Sequence, residues 1–260
     1  MAATPGSSSC LVGPVPFKDV CGHGGDHVVS PPEEYADIIT DMPAITVRAG
    51  QLMRQWQGAW LPHRRVPGVL SFQRRFTPHP DDVLLASPPK EPEDMLVSLW
   101  HFYKSSATTD GSTYTFSDLF ENACEGKHSN GPIWDHILGY WQASQVTPER
   151  ILFLRYEEML RDPVGSVREL AQFLGVPFTG TEEAAELPEE IVKLCSIETL
   201  RGVSANKMVA DGIFVKFPRT SFFRKGVAGD WVNHMTPEMA QRFDAIVEEK
   251  LHGSGLSFKS

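Results

Sequence analysis

Along Glu93–Ser105 the apolar residues Met95, Leu96, Leu99, Trp100 and Tyr103 recur at three-and-four spacing and predict an amphipathic helix. The same reading predicts helices over Phe116–Ala123, Pro132–Ala143 and Glu189–Leu200. It predicts another over Val164–Leu174, stopped by Gly175 and Pro177. A last helix opens with Thr236 as N-cap and Pro237 as its first residue, and buries Met239, Phe243, Val247 and Leu251. Two short apolar runs, Val83-Leu84-Leu85-Ala86-Ser87 and Ile151-Leu152-Phe153-Leu154, read instead as buried strands of the parallel kind. Strand followed by helix points to an α/β domain. Residues 51–80 carry Trp56, Trp60, Phe72 and Phe76 among basic residues and prolines, the makings of an apolar cap. Residues 202–222 show no period and read as a long loop.

Ahead of these elements, residues 1–32 are rich in Gly, Pro and Ser and read as flexible. The domain proper is drawn from residue 51, with 1–50 as its leader. His23 and His27 stand at a helical metal spacing, but the glycines between them disfavour a helix, so no metal site is expected. The length of 260 residues suits one large α/β domain or two small ones. A net charge of −9 excludes the broad basic field that sequence-independent nucleic-acid binding needs. No apolar run approaches the roughly 18–20 residues that span a bilayer. The first residues lack the basic and apolar regions of a secretory signal. Cys10, Cys21, Cys124 and Cys195 are too scattered for a zinc site or a disulfide framework. A cytoplasmic protein with no membrane or nucleic-acid partner is expected.

The candidate chemistry lies in Phe223-Arg224-Lys225-Gly226-Val227-Ala228-Gly229-Asp230-Trp231. Lys216, Arg219, Arg224 and Lys225 form an electropositive island in an acidic chain. The two glycines let backbone N–H groups approach a ligand, and Arg beside Lys can fork onto phosphate oxygens. Composition alone leaves two readings open, an anion site and a basic surface loop.

The order of the residues adds more. Arg-Lys-Gly-x-x-Gly-Asp-Trp followed by Asn233 and Thr236 closely resembles the C-terminal signature of the cytosolic (soluble) sulfotransferase family. Trp56-Gln57-Gly58-Ala59-Trp60 and Pro67-Gly68-Val69-Leu70 resemble the N-terminal region of plant-type members. Asp94–Phe102, Pro132–His136 and Leu154–Met159 match further family segments in the family's order. The resemblance implies a P-loop-like parallel sheet flanked by helices. It implies 3′-phosphoadenosine 5′-phosphosulfate as co-substrate and a small hydroxylated acceptor as partner. By the match Arg224, Lys225 and Gly226 grip the 3′-phosphate with Ser98, Tyr156 meets the adenine, and His136 lines the acceptor pocket. Residue by residue, Ser98 also reads as a tolerated small residue, Tyr156 as a core aromatic and His136 as structural.

One departure is large. Family members continue the first strand into Pro-Lys-Ser-Gly-Thr-Thr-Trp, whose N–H groups wrap the 5′-phosphosulfate. Here Pro89-Lys90 runs directly into Glu91-Pro92-Glu93-Asp94. Residues 51–260 thus read as a domain with an internal deletion near 90–91, and part of its central sheet is missing. The donor loop and the Thr-His segment bearing the family's base are absent. Lys90 stands either for the lost loop's lysine or for the family's 3′-phosphate arginine. Glu91, Glu93 and Asp94 crowd a helix N-terminus and are expected to repel a polyanion. The chain therefore reads as an impaired sulfotransferase or as a non-catalytic nucleotide-binding or interaction protein descended from one. A nucleotide kinase would need Gly-x-x-x-x-Gly-Lys-Ser/Thr, and no such run occurs.

Overall fold

A computed structural model describes residues 32–47, 50–77, 79, 82–86, 90–105, 115–129, 131–203, 209–211 and 216–258. Residues 1–31, with His23, His27, Cys10 and Cys21, lie outside the described residues. The end of the expected leader is structured: a 3₁₀ turn at Pro32–Tyr35 leads into α1 (Ala36–Asp41), then β1 (Ala44–Thr46), β2 (Leu52–Trp56) and β3 (Ala59–Pro62). Apolar residues drive this. Tyr35, Ile39 and Met42 are buried with Val66 and Leu70 of α2 (Val66–Arg75), and Trp56 and Leu61 pack against them. The three strands form one antiparallel sheet in chain order, with Met53 opposite both Ile45 and Pro62. The expected aromatic cap is partial, because Phe72 and Phe76 stack on each other in solvent.

The main core gathers α3 (Pro92–Ser105), α4 (Phe116–Cys124), α5 (Ile133–Val146), the last helix α11 (Pro237–Leu251) and the tail after it. Between α5 and α11 run α6 (Tyr156–Arg161), α7 (Pro163–Phe173), α8 (Gly180–Ala184), α9 (Leu187–Leu194) and α10 (Ile197–Gly202), then a two-stranded hairpin of β4 (Val209–Asp211) and β5 (Lys216–Pro218). The caps follow the sequence. The Thr236 hydroxyl accepts the Met239 N–H at 3.3 Å, and Phe243, Val247 and Leu251 follow at turn spacing on the buried face. Thr115 and Asp118 close a reciprocal capping box on α4.

Three expectations are corrected. Val83, Leu84 and Leu85 form no strand and are 71, 77 and 93 % exposed, while Ile151–Leu154 is part-buried and unpaired in any sheet. Ser87 lies outside the described residues. An apolar run signals a wish for burial, but a parallel strand needs paired neighbours and helices on both faces. All strand pairing among the described residues is antiparallel, so the parallel sheet is absent from them. The single helix expected over Glu189–Leu200 is two, because the Ser196 hydroxyl accepts the Thr199 N–H at 3.2 Å and starts α10 afresh. The loop expected over 202–222 contains β4, β5 and a 3₁₀ turn at Arg219–Phe222; residues 204–208 and 212–215 lie outside the described ones.

Candidate functional site

The site is assembled where α3 begins. Asp94 in its first turn is fully buried, and its two oxygens accept the N–H groups of Gly229 at 2.5 Å and Trp231 at 3.0 Å. This seats the 224–231 turn over the start of the helix. Gly226 and Gly229 take φ of +69° and +77°, the left-handed region that side chains disfavour. At Gly226 space also decides, since an added Cβ would collide with Ile197 Cδ1. From α10 the Arg201 guanidinium donates to the carbonyls of Phe223 at 2.7 Å and Arg224 at 2.8 Å.

Four of the sequence-derived residues converge. Lys90 Nζ donates to Ser98 Oγ at 2.9 Å and lies 5.1 Å from the centre of the Tyr156 ring. Arg224 is close enough to act electrostatically on both Lys90 and Tyr156. Lys225 and Gly226 belong to the same turn. His136 sits elsewhere, exposed on α5 with its ring edge-on to Tyr140 at 5.2 Å. The side chains of Lys216 and Arg219 lie outside the described ones.

The charges are arranged more closely than the sequence suggests. Asp230 is buried behind the turn and accepts hydrogen bonds from Arg224, from Lys225 at 2.6 Å and from Asn233 at 3.0 Å. Burial alone would push its carboxyl up; the Lys225, Arg224 and Asn233 donors outweigh that and hold it well below the usual carboxylate range. The basic island is therefore neutralised in part from its inner side, while half of the Lys225 side chain faces solvent. Burial lowers the Lys90 ammonium below the ordinary lysine value, and Arg224 adds to this; Asp94, Glu157 and Asp230 pull the other way. The Tyr156 phenol is raised by burial, Asp94 and Glu157.

The acidic crowd is not what it seemed in the sequence. Asp94 is spent on two backbone amides. Glu93 is buried, and burial together with a hydrogen bond to Asp244 pushes its carboxyl up to about 8, so it is protonated at neutral pH. Only Glu91 stays part-exposed; its N–H donates to the Glu157 carboxylate at 2.9 Å. At neutral pH the Glu93 share of the repulsion expected of these three acids is thereby removed, while the charge of Asp94 still reaches Lys90 and Tyr156. Behind them a cavity of about 770 Å³ lies between Trp231, α11 and the C-terminal tail, lined by Glu91, Glu93 and Asp244 but not by Lys90, Ser98, Tyr156 or Arg224.

Sequence reasoning missed Asp94 and Asp230 as organisers. One signal was available: Asp94 lies four residues before Ser98, on the same helix face. Among the described residues no group of three or more His, Cys, Asp or Glu could hold a metal ion, and no helix is long and apolar enough to cross a membrane.

Comparison with known proteins shows the family. The sulfotransferase domain family model matches residues 80–255. Cytosolic sulfotransferase 17 of Arabidopsis thaliana is 43% identical over 174 residues, 66% of this chain and 50% of that protein. Flavonol 3-sulfotransferase of Flaveria bidentis is 43% identical over 169 residues, 64% of this chain and 54% of its own length. The chain thus spans about half the length of these relatives. Among solved structures, mouse sulfotransferase SULT7A1 complexed with PAP superposes with a TM-score of 0.52 at 29% identity, over 64% of this chain and 56% of that one. A putative steroid sulphotransferase of Arabidopsis thaliana superposes with a TM-score of 0.60 over 88% of this chain and 98% of that one; at 23% identity it speaks for the fold alone.

Proposed function

We propose, from the premise that this chain belongs to the sulfotransferase family, that Lys90, Ser98, Tyr156, Arg224, Lys225 and Gly226 hold the adenosine 3′,5′-bisphosphate part of 3′-phosphoadenosine 5′-phosphosulfate. The reaction is sulfuryl transfer to the hydroxyl of a small acceptor, slowed by loss of the donor loop and the base. The observation that carries this reading is the meeting of Lys90 Nζ with Ser98 Oγ at 2.9 Å, beside the Tyr156 ring and the Arg224 turn. A hydroxyl and an ammonium in contact, with a guanidinium near enough to act on the ammonium, suit a phosphate, and an aromatic ring beside them suits a purine. Lys90 serves here in the part of the 3′-phosphate arginine. We assign the chain to the cytoplasm, the compartment named for its relatives.

In the transfer, an acceptor oxygen bonds to sulfur as the sulfur–oxygen bond to the 5′-phosphate breaks, and the acceptor proton leaves. The protein's share is positioning and charge. Lys90, Arg224 and Lys225 anchor the nucleotide by its 3′-phosphate, and Tyr156 fixes the base. With the base histidine missing, the proton goes to water, which costs about 10²–10⁴-fold; each lost donor to the leaving oxygens costs about 10²–10³-fold. Turnover at least about 10⁴-fold below that of an intact relative follows.

Calorimetry with adenosine 3′,5′-bisphosphate tests the nucleotide site. Wild-type chain should release binding heat and Arg224→Ala should release none; a silent wild-type sample sinks the reading. Labelled donor with a panel of phenols, flavonoids and steroids tests the chemistry, and turnover near that of an intact relative would refute the impairment. Binding without turnover is the outcome for a non-catalytic nucleotide-binding protein, which the direct Lys90–Glu91 join favours.

A further inference from the structure

We propose that Asp94 is the positioning residue of this site, tying the phosphate-facing turn to α3. The inference rests on the nucleotide reading above for its consequence, but the clamp itself is a matter of geometry.

The Asp94 side chain is fully buried, and each of its oxygens accepts one main-chain N–H, from Gly229 and from Trp231. Those two amides flank Asp230. Fixing them fixes the backbone that carries the Asp230 carboxylate, and that carboxylate receives both Arg224 and Lys225. Orientation thus passes from one buried carboxylate through three residues of backbone to two cations. Because Asp94 and Ser98 share a face of α3, the same residue sets the turn in register with the Ser98 hydroxyl.

Asp94 also acts on Lys90. Facing that ammonium are Asp94, Glu157 and Asp230, which favour its charge, the Arg224 guanidinium, which opposes it, and the Tyr156 ring. Asp94 is the strongest of the charges that counter the burial of Lys90. Substituting Asp94→Asn keeps the size but removes the charge, and its amide offers one acceptor where two N–H groups need satisfying.

Two measurements on the full chain test this. Amide hydrogen exchange should find Gly229 and Trp231 protected in the wild type and at least one of them released in Asp94→Asn, while Ser98→Ala leaves both protected. Affinity for adenosine 3′,5′-bisphosphate should fall at least about 10-fold in the same variant. Rapid exchange at both wild-type amides, or both amides still protected in Asp94→Asn, overturns the proposal. Should Asp94→Asn lack a cooperative melt, wild-type exchange decides by itself. If wild-type chain binds no nucleotide, the nucleotide reading fails, and the exchange results still judge the clamp.

Discussion

Glu93 makes the stability of this protein depend on pH in an unusual direction. The carboxyl is buried in the first turn of α3, where the helix dipole favours an anion, yet burial and the hydrogen bond with Asp244 of α11 push it up to about 8 from an ordinary 4.5. Two carboxyls hydrogen-bond only by sharing a proton. Between the two values the folded chain holds a proton that the unfolded chain has released, so stability is greatest at the acid end and is lost as pH rises through 8. From about pH 6 to about pH 9 the loss amounts to about 2–3 kcal/mol, at about 1.4 kcal/mol per unit of effective titration. For a chain of this size that lowers the melting temperature by about 5–10 °C. Thermal melts followed by circular dichroism across this range check it, with Glu93→Gln as comparison, since its amide stays neutral and still donates to Asp244. A wild-type melting temperature constant to within about 1 °C, or a glutamine variant with the same slope, refutes the reasoning.

Two further perturbations bear on the turn. Gly226→Ala forces a side chain into the left-handed region at about 1–2 kcal/mol and drives its methyl against Ile197; adenosine 3′,5′-bisphosphate should bind about 5–30-fold more weakly by calorimetry, and undiminished affinity would count against the seating of the turn. Asp230→Ala strips Arg224 and Lys225 of their shared acceptor. Breaking such a pair costs about 3–5 kcal/mol when fully buried, so with Lys225 half exposed about 3 kcal/mol is expected in urea unfolding, and less than about 1 kcal/mol would show that Asp230 is a bystander.

Helices were more legible than strands because a helix announces itself locally. The α3 and α11 faces and the Thr236 cap depend on residues within one or two turns of each other. The Val83–Leu85 and Ile151–Leu154 runs depend on partners elsewhere in the chain, and no local pattern reveals whether those partners exist. At the site, Ser98, Tyr156, Arg224 and Lys225 were named from family order, and the structure adds that Ser98, Tyr156 and Arg224 lie around Lys90. Asp94 was read only as a source of repulsion, because sequence gives a carboxylate's charge but not the amides that donate to it. Glu93 was misread for a related reason: proximity to Asp244 spans some 150 residues of chain and decides whether the group is charged at all.

The Arg224 turn is shaped as much from α10 as from its own residues. Ile197 fills the space beneath Gly226, and Arg201 gathers the carbonyls of Phe223 and Arg224. Random mutagenesis scored for nucleotide capture should therefore reveal two separated intolerant stretches, one at the turn and one on the inner face of a six-residue helix more than twenty positions upstream. Grafting the turn alone into another scaffold would carry over its cations without the mould that bends them.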